Sequence, residues 1–470
     1  MTTPTKENLT ALLEPFDQTH VLQFWDELGA DQRAQLASQI EGFDLEQLNK
    51  LYNSQDAQSH WGELAAKSSV PPAITLADFA DEASFEAAYK TGAQQISAGK
   101  VAMIIVAGGQ GSRLGFDHPK GMYPIGPISS NSLFQIFIEK VIARARQFGS
   151  TIPLYVMTSP PTHEETIEYL TKENYFGMSP DDVMIFCQGV MPAVDGDGKL
   201  LLEEKGKIFV SPDGHGGALL ALEKSGALAD MKKRGVEHSF YGQIDNPLVQ
   251  VCDPALLGYH TQSGSEMTSQ VVRKNDPFQK VGNVVTSDGK VQIIEYSDLP
   301  EENARETNDD GSLRLWAGSI AVHIFKTDFF DRMSQTDGSL PFHRAHKKVA
   351  FVDAQGSINK PEQNNAVKFE KFIFDLLPSA KNAIICEVDP ADGFNAVKNA
   401  PPADAETPDH VRAAISDLHS RWLTECGINV SDGTLVEISP LFAPDSKVLK
   451  EKIDADKNFP SKITADTYLQ

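Results

Sequence analysis

The apolar run Val-Ala-Met-Ile-Ile-Val-Ala from Val101 to Ala107, stopped by Gly108-Gly109, constrains the fold more than any other feature of the chain. It is too short for an independent helix and is apolar on both faces, which is the pattern of a strand covered on both sides in a parallel sheet. A second short run, Pro153 to Met157, follows a segment with helical spacing (Leu133, Phe134, Phe137, Ile138, Val141, Ile142) and precedes another helical segment, Glu164 to Phe176. Strand, helix, strand, helix predicts an α/β fold.

Further strand-like runs at Val183 to Cys187, Ser239 to Ile244, Met267 to Val272 and Val291 to Tyr296 extend this into a mixed sheet. Ahead of it, apolar residues at three- and four-residue steps predict helix over 20–52, and again over 81–98, ending at Gly99. The Pro- and Asp-rich stretch 400–409 reads as a linker before a helical segment and a strand at 434–438. The expected organisation is an N-terminal helical region (1–99), a central domain (100–399) and a small C-terminal domain (400–470).

The loop after the first strand carries the chemistry. Gly108-Gly109-Gln110-Gly111-Ser112-Arg113-Leu114-Gly115 stands where open α/β sheets bind ligands, and glycines there let backbone N–H groups approach phosphate oxygens. The spacing of Gly109, Gly111 and Gly115 is GxGxxxG, not the dinucleotide GxGxxG, and the GK[ST] ending of a P-loop is missing. Both a nicotinamide oxidoreductase and a P-loop ATPase are therefore disfavoured. Arg113 in the loop and Lys120 just after it supply two cations suited to a triphosphate tail.

With 42 Lys plus Arg against 65 Asp plus Glu, the 470-residue chain carries a net charge of −23, which argues against nucleic acid as a partner. There is no apolar run of membrane-spanning length, and the polar start Met1-Thr2-Thr3-Pro4 is unlike a signal peptide, so no membrane and a cytoplasmic location are expected. Cys187, Cys252, Cys386 and Cys426 form no CxxC pair, and no histidine has metal-ligand spacing, so neither disulfides nor zinc are expected.

The glycine loop together with Pro119-Lys120-Gly121-Met122-Tyr123 resembles the uridylyltransferases of the eukaryotic UDP-N-acetylglucosamine pyrophosphorylase type. Further blocks agree in order: Gln188-Gly189, Leu202-Glu203-Glu204-Lys205, Ser211-Pro212-Asp213-Gly214-His215-Gly216-Gly217, Asp245-Asn246, Val281-Gly282, Glu295-Tyr296-Ser297, His343 with Lys347-Lys348, Lys368 to Phe372, and Lys398-Asn399. The resemblance extends over residues 24–441. It implies a central Rossmann-like nucleotidyltransferase domain that joins UTP and a sugar 1-phosphate, with Mg²⁺, into a UDP-sugar and pyrophosphate.

By the same resemblance, Gly108, Gly109, Gln188 and Gly214 form the uracil and ribose side. Gly111 belongs to the same loop, and Ser112, Arg113 and Lys120 face the phosphates. Gly282 and Glu295 line the sugar pocket, and Lys398 reaches the phosphates. Asp245, after a strand-like run, is either a turn carboxylate or a metal ligand; the resemblance assigns it to Mg²⁺.

Three positions depart from the family pattern: His215 replaces an Asn, and Ser319 and Val322 replace asparagines in the block Ala317 to His323. Losing amides weakens recognition of an N-acetyl group, so UDP-glucose or UDP-galactose is the alternative product. His215 is a candidate donor to a sugar or phosphate oxygen. A nucleotide-binding regulatory protein without catalysis is the alternative class.

Overall fold

The structure, a computed structural model, describes residues 4–54, 61–336 and 340–470, so Met1-Thr2-Thr3 of the polar start lie outside the described residues. The six strands predicted between 101 and 296 join four others in one mixed ten-stranded sheet, with strands β1 Ala73–Ile74, β2 Val101–Val106, β3 Leu154–Thr158, β4 Val183–Cys187, β5 His238–Gln243, β6 Met267–Arg273, β7 Gly282–Ser287, β8 Lys290–Ile294, β9 Ala317–Lys326 and β10 Ala383–Glu387, while the strand expected at 434–438, Val436–Ile438, pairs with Thr467–Leu469 outside it. The order is β1-β10-β6-β9-β5-β2-β3-β4, with β7 pairing β9 and β8. Strands β5, β2, β3 and β4 run parallel, whereas β9 is antiparallel to both of its neighbours in that order, β5 and β6. Every residue of β2 except Val106 is fully buried, as its unbroken apolar run requires.

Helix ends follow local chemistry. Ser132 accepts the N–H of Gln135 to start Leu133–Phe148, and Gly149, at φ +61°, ends it; Asp81 caps Glu82–Ser97 in the same way. That last helix lies against Pro254–Gln262 at a crossing made of glycines. A Cβ on Gly92 would stand 1.9 Å from Pro254 O, and one on Gly258 would stand 1.8 Å from Ala88 O. The predicted helix at 164–176 is shorter, His163–Lys172, and is followed by a turn in which Asn174, Tyr175 and Phe176 have positive φ.

By compactness the described chain divides into two units interleaved in sequence. One comprises the described residues of Met1–Ser59, Gln188–Gly217 and Ser339–Asp375; the other, those of His60–Cys187, Ala218–Gly338 and Leu376–Gln470. The physical reasons are visible in the cores. The glycine crossing welds helix 82–97 to the main-sheet unit, and Val411, Ile415, Leu418, Leu423, Val436 and Ile438 share one apolar core with β2 and β3, so residues 400–470 are not compact apart from it. The first unit has its own core, in which Leu9, Leu13, Leu36 and Ile40 meet Val194, Ile208 and Phe369, and a small antiparallel sheet of Phe342–Lys347, Ala366–Lys371 and Val194–Asp195.

The continuous helix expected over 20–52 is corrected by the structure. Thr19–Leu22 and Trp25–Glu27 are 3₁₀ turns, and the helices are Ala30–Gly42 and Leu45–Asn53, the second started by the Asp44 side chain. Val21, Leu22, Phe24, Trp25 and Leu28 are all buried, so their spacing reflects a compact apolar knot rather than one helix face. No described helix is long and apolar enough to cross a membrane. Cys252 and Cys386 are buried, and burial pushes the Cys252 thiol up to about 12, which leaves it unreactive.

One buried ion pair fastens the C-terminal region. Arg144, 2% exposed, donates to Asp445 Oδ2 at 2.6 Å, to Gln147 and to Val251 O, while Asp445 also caps helix Ser446–Ala455. Removing one partner of such a pair leaves a buried charge uncompensated and costs about 3–5 kcal/mol. Asp445→Ala should therefore lower stability by that order in urea unfolding, with the midpoint shifting and the slope unchanged.

Candidate active site

The site in the main-sheet unit is built where the strand order turns back. From β2 the chain moves through β3 and β4 to one side, then returns through β5 to the other side of β2, making the gap between β2 and β5 the switch point of the sheet. Their parallel register places Val106 beside Gln243 and carries on through Ile244 N–H to Val106 O at 3.1 Å. The glycine loop and Asp245 consequently leave the sheet side by side.

The loop folds back on itself. Gly111 N–H donates to His118 O at 2.8 Å and Lys120 N–H to Gly109 O at 3.0 Å, so Lys120 returns to the strand end it left. Ser112–Leu114 make one 3₁₀ turn, and the Ser112 and Arg113 side chains are exposed. Behind the loop, Ser159 Oγ donates to Gly108 O at 2.6 Å. Lys120 Nζ lies 3.3 Å from Asp245 Oδ2 and 3.4 Å from Val397 O, and both side chains are mostly covered.

Segment 393–400 is tied to the same place. Val397 N–H donates to Asp245 O at 2.9 Å and Ala400 N–H to Arg113 O at 3.2 Å, which brings Lys398 into the group; its Nζ pairs with Glu406 Oε1 at 2.9 Å. Thus Gly108, Gly109, Gly111, Ser112, Arg113, Lys120, Asp245 and Lys398, scattered over the sequence, gather at one end of the sheet. Gly282 and Glu295 are brought together elsewhere in this unit by the β7–β8 hairpin, with Glu295 Oε1 3.1 Å from where a Gly282 Cβ would stand.

Gln188, Gly214 and His215 belong to the other unit. Gln188 is 7% exposed, and Gly214, at φ +83°, packs so closely on Lys371 that a Cβ would stand 2.4 Å from its carbonyl oxygen. His215 stacks on Phe372, with ring centroids 5.2 Å apart, and its Nδ1 accepts the Ile373 N–H at 3.3 Å, which makes Nε2–H the donor of the neutral ring. Burial pushes its pKa down to about 4, so at neutral pH the ring is uncharged. His343 pairs with Asp375, and His323 is buried against Ser269.

Of the other two departures, Val322 is buried among the core residues of the main sheet, while Ser319 lies opposite Gly282 in the β7–β9 pairing. Sequence reasoning missed the residues that hold Asp245 in place. Asn246, 3% exposed, donates to Gly393 O at 2.9 Å and accepts Asn395 N–H at 3.0 Å; Lys140 Nζ donates to Pro247 O at 2.5 Å and Val249 O at 2.9 Å. The signal available for Asn246 was its place in the Asp245-Asn246 block of the resemblance. Burial brings the Lys140 amine down to about 7.

A loop of backbone amides with two cations and a carboxylate, at the switch point of a parallel sheet, defines an α/β protein that binds phosphorylated ligands. A family model described as "UTP--glucose-1-phosphate uridylyltransferase" matches residues 49–404, and the chain belongs to that family. It is 37% identical over 442 residues to human "UDP-N-acetylhexosamine pyrophosphorylase-like protein 1", covering 91% of this chain and 87% of that one. It is 38% identical over 359 residues to the UDP-N-acetylglucosamine pyrophosphorylase of Saccharomyces cerevisiae, covering 75% of each. Among solved structures, the uridine diphosphate N-acetylglucosamine pyrophosphorylase of Trypanosoma brucei superposes with a TM-score of 0.82 at 25% identity, over 100% of this chain and 99% of that one. The resemblance read in the sequence is thereby borne out.

Two glycines of the loop differ in what a side chain would meet. A Cβ on Gly111 would stand 2.7 Å from Phe116 O, whereas one on the exposed Gly109 would meet only Lys120 Cε at 3.9 Å. Gly111→Ala should destabilise the protein by about 1–3 kcal/mol, the usual range for overpacking. Gly109→Ala should unfold as the wild type does while binding UTP more weakly, as thermal unfolding with and without UTP will show.

Proposed function

We propose that the chain transfers the uridylyl group of UTP to a sugar 1-phosphate, with N-acetylglucosamine as the sugar, and releases pyrophosphate. The observation that carries the reading is the convergence of the glycine loop, Arg113, Lys120, Lys398 and Asp245 at the switch point of the sheet. A phosphate oxygen of the sugar 1-phosphate attacks the α-phosphorus of UTP in line; the new O–Pα bond forms as the bond to the β-phosphate oxygen breaks, and the pyrophosphate departs with that electron pair.

Such a displacement needs alignment and charge neutralisation rather than a covalent nucleophile. Loop amides around Gly108 and Gly109 receive the nucleotide, while Arg113, Lys120 and Lys398 offset charge on the phosphates. The Glu295 carboxylate accepts from a sugar hydroxyl beside Gly282.

Among the described residues no group of three or more His, Cys, Asp or Glu is placed to hold a metal. A lone covered carboxylate at a strand end, Asp245, suits Mg²⁺, which takes one or two carboxylates and fills the rest of its sphere with phosphate oxygens and water. When bound, Mg²⁺ would supply charge neutralisation at the phosphates. Asn246 and Lys140 hold the turn that presents the Asp245 carboxylate.

Ser319 favours a second reading. A hydroxyl stands beside Gly282 where the family pattern has an amide, which suits a hexose without the acetamido group.

Pyrophosphate release from UTP with Mg²⁺ and a panel of N-acetylglucosamine, N-acetylgalactosamine, glucose and galactose 1-phosphates tests both. N-acetylglucosamine 1-phosphate should give the highest kcat/KM; a higher value with glucose or galactose 1-phosphate would establish the second reading. UTP binding without release for any sugar would favour a binding protein. Lys120→Ala should stay folded and lower kcat roughly 100- to 1000-fold, the usual cost of a preorganised donor, and chelating divalent cations should abolish turnover.

A further inference from the structure

Lys274 is a lysine that the uridylyl transfer leaves unused and that water scarcely reaches. It is 3% exposed, just past the end of β6, where its N–H donates to Trp316 O at 2.8 Å. A lysine so covered is uncommon without a partner. Its Nζ donates to the carboxamide oxygen of Asn283, itself 1% exposed, and the Asn283 Nδ2 donates onward to Ile294 O at 3.2 Å.

This chain of two hydrogen bonds ends at the peptide that carries Glu295 and passes through the residue next to Gly282. The sheet is shaped around it. Asn283 pairs with Gly318 and Gly282 with Ser319, and a Cβ on Gly318 would stand 3.1 Å from Lys274 Cγ and 2.6 Å from Val281 Cγ2. A larger residue at 318 would displace the lysine stem. Burial lowers the Lys274 amine to about 8, so a polar group has been kept where an apolar one would be easier to bury.

We infer that Lys274 is a positioning residue for the sugar end of the substrate, acting through Asn283 to fix the Gly282–Glu295 pair. The inference rests on the uridylyltransferase reading, because Gly282 and Glu295 gain their meaning from it. A side chain that only stabilised the fold would not single out one half of the substrate. Lys274 and Asn283 bond to the hairpin that bears Gly282 and Glu295, whereas the glycine loop, Lys120 and Asp245 are held by their own bonds to His118, Gly109 and Val397. Loss of Lys274 should therefore weaken the sugar half and spare the nucleotide half.

The test is calorimetric titration of the intact protein with UTP and with UDP-N-acetylglucosamine, accompanied by KM for each substrate. In Lys274→Met, the Kd of the UDP-sugar and the KM of the sugar 1-phosphate should rise at least tenfold, with the Kd and KM of UTP within about twofold of wild type. Lys274→Gln, which keeps a donor toward Asn283, should recover most of the loss.

Should Lys274→Met fail to fold, Asn283→Asp decides the matter: it keeps an acceptor for Lys274 and removes the donor to Ile294 O, and should weaken the UDP-sugar alone. Equal weakening of UTP and UDP-sugar, or no change in either, would overturn the inference while leaving the uridylyltransferase reading intact. A wild-type protein that binds neither ligand would end both.

Discussion

Where Val106 lies beside Gln243 in parallel register, two stretches of chain far apart in sequence leave the sheet at the same edge. One begins the glycine loop and the other delivers Asp245. Backbone hydrogen bonding between two buried strands is cooperative and insensitive to salt, so this alignment is more robust than any ion pair on the surface. The remaining bonds of the site elaborate it. Lys120 returns along its hairpin to Asp245, Val397 caps the Asp245 carbonyl, and Ala400 reaches Arg113.

Charge around that edge is arranged against the overall trend of the molecule. A chain of net charge −23 repels polyanions at long range, so the cations gathered here act through their local field. Lys120 and Lys398 are each kept beside a carboxylate, Asp245 and Glu406, which holds their long side chains in place before any phosphate arrives. Glu406 sits at positive φ, with its carbonyl accepting from both Lys398 N–H and Asn399 N–H. Cations already ordered by a carboxylate lose less entropy when they take up a further anion.

Legibility in the sequence tracked burial and local chemistry. The strands Val101–Val106 and Leu154–Thr158 were readable because both faces are covered and nearly every residue is apolar, and the loop after the first was readable because glycine has few other reasons to recur so densely. Phe342–Lys347 was not readable, since its residues are half-buried or exposed and its pattern, with Arg344, His346 and Lys347, lacks apolar alternation. The segment 20–28 misled for the opposite reason, as apolar residues clustered in a knot imitate helical spacing. Asn246 and Lys140 act through bonds to Gly393 and Pro247, more than a hundred residues away, and a single chain read in order carries no trace of those distances.

The interleaving of the two units bears on how the protein is made. Gln18 donates to Gly198 O and the His20 ring bonds Leu200 O, each 180 residues on, and Arg344 donates to Leu51 O, 293 residues back, and to Tyr52 O, so residues 18–52 find these partners only after a long stretch of further chain has been made. At about 5–20 residues per second, that is a delay on the order of tens of seconds during which Leu9, Leu13, Phe24, Trp25 and Leu36 have no complete core to enter. Until the later strands arrive, those apolar side chains stay exposed to water, and the core of this unit closes late in synthesis.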